Sequence, residues 1–199
     1  MLRYAALALS LAITSLAATI DFRNFTYPFD HEVDEIGMPG GISWLPIKAQ
    51  ARITLVNGRW DSHDNGGPAV TLEEVHYGYV TMSPVMDAIV VLTYHTGGTA
   101  FWSYVYVYQL GGDRSKLVAL LRTGTRSAEG LYRVYASNGE LTLDLFDPER
   151  RTFDCCSTGF IRGTWIWKAG RFVEEDAPQY GNVEMTSPRR PAEDDTKTR

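Results

Sequence analysis

Residues 87–94 read Asp-Ala-Ile-Val-Val-Leu-Thr-Tyr, and every position from Ala88 to Leu92 is apolar. A strand with one wet face alternates apolar and polar side chains. An unbroken apolar run between Met86-Asp87 and Gly97-Gly98 therefore predicts a central strand covered on both sides. The next segment, 102–108, is rich in aromatic and β-branched types and predicts a second strand. Any fold for this chain has to bury these two segments first.

The sharpest local signal is a hairpin. Leu131–Ser137 and Glu140–Phe146 flank Asn138-Gly139, a dipeptide suited to the type I′ turn that matches strand twist. A two-residue turn fixes the register. Ser137 faces Glu140, Ala136 faces Leu141, Val134 faces Leu143 and Tyr132 faces Leu145, all on one face. Arg133 then falls opposite Asp144, placing unlike charges across the ladder. Turn chemistry and binary pattern agree.

Further strand signals lie at 52–56, which leads into the turn dipeptide Asn57-Gly58, and across 70–80 in broken form. The apolar run 117–121 fits a strand or a helical turn equally. A last hairpin is expected from 164–167 through Lys168-Ala169-Gly170 into 171–173. The segment 21–29 is aromatic and extended in character, with Pro28 keeping Tyr27 out of the helical region. Phe22 and Phe25 are expected to dock on the domain. No stretch after residue 18 has convincing helical period and length. The expected fold is mainly β, an antiparallel β-sandwich or strongly curved sheet with few short helices.

The two ends are different in kind. Met1-Leu2-Arg3 supplies one positive charge, residues 4–18 are almost wholly apolar or small, and Ser15-Leu16-Ala17 offers a small-x-small cleavage pattern. Residues 1–17 are expected to be a secretory signal peptide. The alternative, a membrane anchor, meets an apolar run shorter than the ~20 residues a span requires. The expected product is a soluble domain over 18–173, secreted or periplasmic. Residues 174–199 are charged, proline-bearing and poor in large apolar side chains, and are expected to form a disordered tail. The 199 residues are 44% hydrophobic and 22% charged, which is enough for one buried core. A net charge of -5, without a Lys/Arg cluster, speaks against a nucleic-acid partner, whose phosphates demand a basic stripe.

The segments Val75-His76-Tyr77-Gly78, Asp87-Ala88-Ile89-Val90-Val91, Tyr104-Val105-Tyr106-Val107-Tyr108 and Trp167-Lys168-Ala169-Gly170-Arg171-Phe172 form a pattern of strand ends and glycines over roughly residues 70–173. In this the chain resembles secreted bacterial proteins of the LppP/LprE lipoprotein type. The resemblance implies an exported, β-rich protein without an established enzyme activity. The chain departs from that type in lacking a lipobox cysteine. Between Gly78 and Asp87 it also lacks the oxygen-rich loop that would suit calcium, which takes about six or more oxygen ligands.

Three groups of residues invite a functional reading. The only cysteines, Cys155 and Cys156, are adjacent. In an oxidising compartment they could close a strained vicinal disulfide and serve as a redox switch, or simply form a rigid turn. Trp102, Tyr104, Tyr106 and Tyr108 alternate along one strand and share a face. That face either offers a ligand-binding ladder to a peptide or glycan, or packs against a second layer. Asp61, His63 and Asp64 bring oxygen and imidazole donors together, as a metal site would, but Gly66-Gly67 follows at once, as in a solvated turn. His76 and His95 stand alone in the sequence. There is no phosphate loop, no His-Glu-x-x-His, no Gly-x-Ser-x-Gly and no zinc-spaced set. No cofactor is expected. The expected function is non-enzymatic binding of a protein, peptide or glycan. Thiol redox chemistry at Cys155-Cys156 is one alternative, and a hydrolase with sequence-scattered residues is another.

Overall fold

A computed structural model describes residues 20–29, 43–45, 51–62, 66–98, 101–112, 114–125, 129–137, 139–152 and 156–183. The strands in chain order are β1 (Thr26–Pro28), β2 (Ser43–Trp44), β3 (Arg52–Thr54), β4 (Arg59–Asp61), β5 (Ala69–Gly78), β6 (Asp87–His95), β7 (Phe101–Gly111), β8 (Arg114–Arg122), β9 (Leu131–Ser137), β10 (Glu140–Phe146), β11 (Arg151–Thr152), β12 (Cys156–Ser157), β13 (Gly159–Lys168), β14 (Arg171–Glu174) and β15 (Gln179–Asn182). Helix among the described residues is confined to two short 3-10 turns, Phe22–Asn24 and Pro148–Arg150. The protein is mainly β and its strand pairs are antiparallel.

The central sheet has the order β2-β8-β7-β6-β5-β4, with β5 to β8 as a continuous meander. Its middle strand β6 is buried from Asp87 to Leu92, as the unbroken apolar run requires. Alternate side chains then feed two separate cores. Ala88, Val90, Leu92 and Tyr94 point to one face, and Ile89 and Val91 to the other.

Each face has its own cover. On the first, the N-terminal segment supplies Phe22, Tyr27 and Phe29, joined by Ile53 of the small β1-β3 sheet and by Leu55 just after it. On the second lies a sheet of order β14-β13-β10-β9, with β15 also paired to β13. It contributes Val134, Leu141, Leu143, Leu145, Trp165 and Phe172. The result is a β-sandwich with a small third layer on the outer side of its larger sheet.

The β9–β10 hairpin has the expected register from Ser137–Glu140 to Arg133–Asp144, and then shifts. Leu145 pairs with Leu131, so Tyr132 is an extra bulged residue. The bulge turns its ring outward against Phe146 and Phe160, at centroid distances of 5.4 and 5.8 Å. Apolar character at both Leu131 and Tyr132 conceals this shift in the sequence. The ambiguous run 117–121 is part of strand β8. The last hairpin turns on two residues, Ala169 and Gly170, both at positive φ, with Lys168 kept in the ladder opposite Arg171.

The ordered structure also continues past residue 173. Strand β15 pairs Gln179–Asn182 with the start of β13, and Val183 N–H donates to the Thr158 carbonyl at 2.9 Å. Gln179–Asn182, expected to belong to a disordered tail, are therefore part of the described fold, and the rest of that expected tail, from residue 184, lies outside the described residues. β15 is held by backbone pairing and contributes almost no apolar surface, so composition alone gives no sign of it. Residues 1–17, and with them the signal-peptide reading, lie outside the described residues.

Candidate functional site

The two sheets are closed at one end and open at the other. At the closed end Gly78 of β5 meets Ala136 of β9. A Cβ on Gly78 would sit 3.0 Å from the Ala136 Cβ and 3.2 Å from its carbonyl oxygen, so any larger residue here would force the two strands slightly apart. Near the same end Asp87 is fully buried and accepts hydrogen bonds from Thr81, by the backbone N–H at 2.8 Å and by the hydroxyl at 2.9 and 3.0 Å. Gln109 Nε2 in turn donates to the Thr81 hydroxyl at 3.0 Å. Burial pushes the Asp87 carboxyl above the usual aspartate range, partly offset by the Thr81 and Val80 hydrogen bonds.

Toward the open end the same face changes character. On β6, Ile89 and Val91 give way to Thr93 and His95. On β7, Val107 and Val105 give way to Ser103 and Phe101. The apolar positions pack on the second sheet, and Thr93, His95 and Ser103, with the exposed Phe101 ring, floor a cleft of about 730 Å³. Thr71, Glu73 and Glu74 of β5 continue the floor, and Gly130, Leu131 and Tyr132 form the opposite wall. A bulge between Leu72 and Glu74 turns the strand here. A second cavity of about 450 Å³ shares Glu74 and Tyr132 with the first and runs along the outer side of β9 past His76.

The charged groups of this groove are arranged in distinct ways. His76 Nε2 lies 2.8 Å from Glu74 Oε2 without meeting the geometry of a hydrogen bond. Arg59 is held by Asp61 through two contacts of 2.8 and 2.6 Å. His95 Nδ1 accepts from Gly97 N–H at 3.3 Å, which makes Nε2 the protonated nitrogen donating to the Gly98 carbonyl at 2.7 Å. Its ring packs against Phe101 with centroids 4.6 Å apart. His95 thus pins the β6–β7 turn and shapes the cleft's end. Neither histidine carries a sequence motif; their place in the groove follows only from the pairing of β5 with β6.

The aromatic ladder sits on the opposite face of β7. Tyr104, Tyr106 and Tyr108 are buried beneath Phe22, Phe25, Tyr27 and Phe29, with edge-on contacts such as Tyr27–Tyr106 at 5.3 Å and Phe29–Tyr104 at 5.0 Å. Tyr106 also donates to the Pro28 carbonyl at 2.9 Å. Trp102 is half-buried beside Tyr94. Of the two sequence readings of this face, the geometry is that of a packed layer: the N-terminal rings occupy the space a ligand would need. Cys156 opens β12, paired through its backbone with Thr152, while Cys155 lies outside the described residues. Asp61 ends β4 in its fork with Arg59. His63 and Asp64 lie outside the described residues. Among the described residues no three His, Cys, Asp or Glu side chains gather as a metal-binding group, and no helix is long and apolar enough to cross a membrane.

Fold and cleft define a class, a two-sheet antiparallel β domain whose sheets separate into a polar groove beside an edge strand. No family model, curated protein or solved structure matches the chain.

Proposed function

We propose that this chain is a non-enzymatic binding domain that takes a protein, peptide or glycan ligand in the cleft between its two sheets, and that it works in the envelope or outside the cell. One observation carries the reading: a single sheet face turns from apolar to polar where a cleft opens between it and the second sheet, leaving hydroxyls, carboxylates and the rings of His95 and Phe101 around about 730 Å³. Binding clefts combine apolar walls with a few placed polar groups in this manner. The exported setting is supported by the leader-like residues 1–17 and by the resemblance to LppP/LprE-type proteins.

The test is titration of the purified protein with chito-oligosaccharides and with blocked peptides, alongside the variant Thr93→Trp, whose indole would fill the cleft floor. The expected result is binding of at least one ligand class, weakened tenfold or more by Thr93→Trp at unchanged melting temperature. Binding untouched by the filled cleft would move the site elsewhere. Release of cleavage products from a bound ligand would overturn the non-enzymatic reading.

A further inference from the structure

The second sheet is narrower than the first, and the difference falls at one place. The central sheet continues from β5 to β4, but its partner stops at β9, whose only ladder among the described residues is to β10. The groove along the outer side of β9 lies over the ground that one more strand would cover.

The backbone of β9 is arranged for such a strand. In a hairpin closed by a two-residue turn, the pair next to the turn is hydrogen-bonded and the pairs alternate from there. Ser137–Glu140, Tyr135–Thr142 and Arg133–Asp144 are therefore the bonded pairs, while Val134 and Ala136 direct their N–H and carbonyl groups away from β10. The Ala136 carbonyl already faces Gly78 at the closed end. The Val134 groups and the bulge at Tyr132 border the open groove.

The floor supplies the selectivity. Glu73 and Glu74 bring two carboxylates; of the guanidiniums bordering the groove, Arg59 is already forked to Asp61, and Arg133 on the β9 side lies over the Tyr132 ring at 4.6 Å. His76 lies against Glu74, with Nε2 2.8 Å from Oε2. A strand laid beside β9 would turn alternate side chains down onto these carboxylates and the others up beside Tyr135.

We infer that β9 is a docking edge for an extended peptide carrying lysine or arginine, which joins the second sheet as an added strand and sets its basic side chain on Glu73 and Glu74. Strand addition of this kind draws affinity from main-chain hydrogen bonds and specificity from alternate side chains. The inference rests on the binding reading of the cleft and narrows it to one ligand class.

The experiment uses the whole ¹⁵N-labelled protein and three probes: acetyl-(Thr-Lys)₃-amide, acetyl-(Thr-Glu)₃-amide and chitotetraose. The lysine peptide is expected to bind and to slow exchange of the Val134 amide about tenfold or more, with the glutamate peptide at least ~10-fold weaker. The double variant Glu73→Gln/Glu74→Gln is expected to lose about tenfold in affinity for the lysine peptide and most of its salt dependence. Val134→Pro removes one outward N–H while sparing the β9–β10 hydrogen bonds, at the cost of a buried valine side chain, and is expected to abolish binding. If that variant does not fold, amide exchange and the glutamine variants decide. A lysine peptide that binds without protecting Val134 overturns strand addition. Chitotetraose filling the cleft while both peptides fail overturns the inference and leaves the binding reading standing. Failure of all three probes overturns this inference and removes the peptide and oligosaccharide support for that reading as well.

Discussion

Asp144 is fully buried on the outer side of the second sheet, and Arg162 of the neighbouring strand grips both of its oxygens, with Nε at 2.7 Å and an Nη at 2.8 Å. The guanidinium lies over the rings of Tyr135 and Phe160, each 5.4 Å away. These rings shield the pair, and hydrogen bonding to Asp144 raises the Arg162 pKa. A forked, shielded pair is dear to break from one side and cheap to replace whole. Arg162→Ala is expected to destabilise the protein by about 1–3 kcal/mol, because it takes the forked donor away from a buried carboxylate while the guanidinium it removes is itself partly solvated. The double variant Asp144→Leu/Arg162→Met is expected to regain most of that loss. Urea unfolding of the three proteins decides it, and equal losses in the single and double variants would count against the account.

Asp87 gives a pH dependence of definite sign. Burial raises its folded pKa above the unfolded value, so the folded protein holds this proton more tightly. Its contribution to stability is fully present below the unfolded pKa and is lost as pH rises through the folded one. Relative to Asp87→Asn, the wild type is therefore expected to gain stability as the pH falls from neutral into the upper carboxylate range. Urea midpoints of both proteins at a series of pH values provide the check. A wild type that loses ground to the variant on acidification would reverse the sign.

Tyr104 and Tyr106 lie two positions apart under the same layer and differ in one respect. The Tyr106 hydroxyl donates to the Pro28 carbonyl at 2.9 Å, whereas the Tyr104 hydroxyl is buried with no hydrogen-bond partner among the described residues. Tyr106→Phe is expected to lose about 1 kcal/mol and Tyr104→Phe to gain about as much, since an unmade buried hydrogen bond is a penalty that phenylalanine avoids. Thermal unfolding of the two variants separates them, and shifts of the same sign would contradict the assignment.

These contrasts show what a sequence can and cannot display. The fully covered β6 is legible because Ala88 to Leu92 leave no polar position on either face. The β9–β10 register is legible from Asn138-Gly139 as far as Arg133, because a two-residue turn dictates it. It is lost at Tyr132, since a bulge between apolar residues leaves the binary pattern unchanged. The pairing of Asp144 is half legible: Arg133 stands opposite it as expected, but the forked partner Arg162 arrives from β13, and strand order across a sheet is not written locally. The cleft is the least legible feature. Thr93, His95 and Ser103 look like ordinary strand ends until a second sheet is placed above them and seen to draw away.

The central meander is capped on one face by residues that precede it and on the other by residues that follow it. The contact from Tyr106 to Pro28 spans 78 positions of chain. During synthesis the first cap emerges with nothing to rest on, and the meander then emerges with its second apolar face bare until β10 and β13 arrive. Non-local pairing of this kind makes for slow folding. The chain therefore passes through a stage in which an apolar sheet is complete but only half clothed, and the span of its life most open to misassembly is the interval before β10 and β13 have left the ribosome.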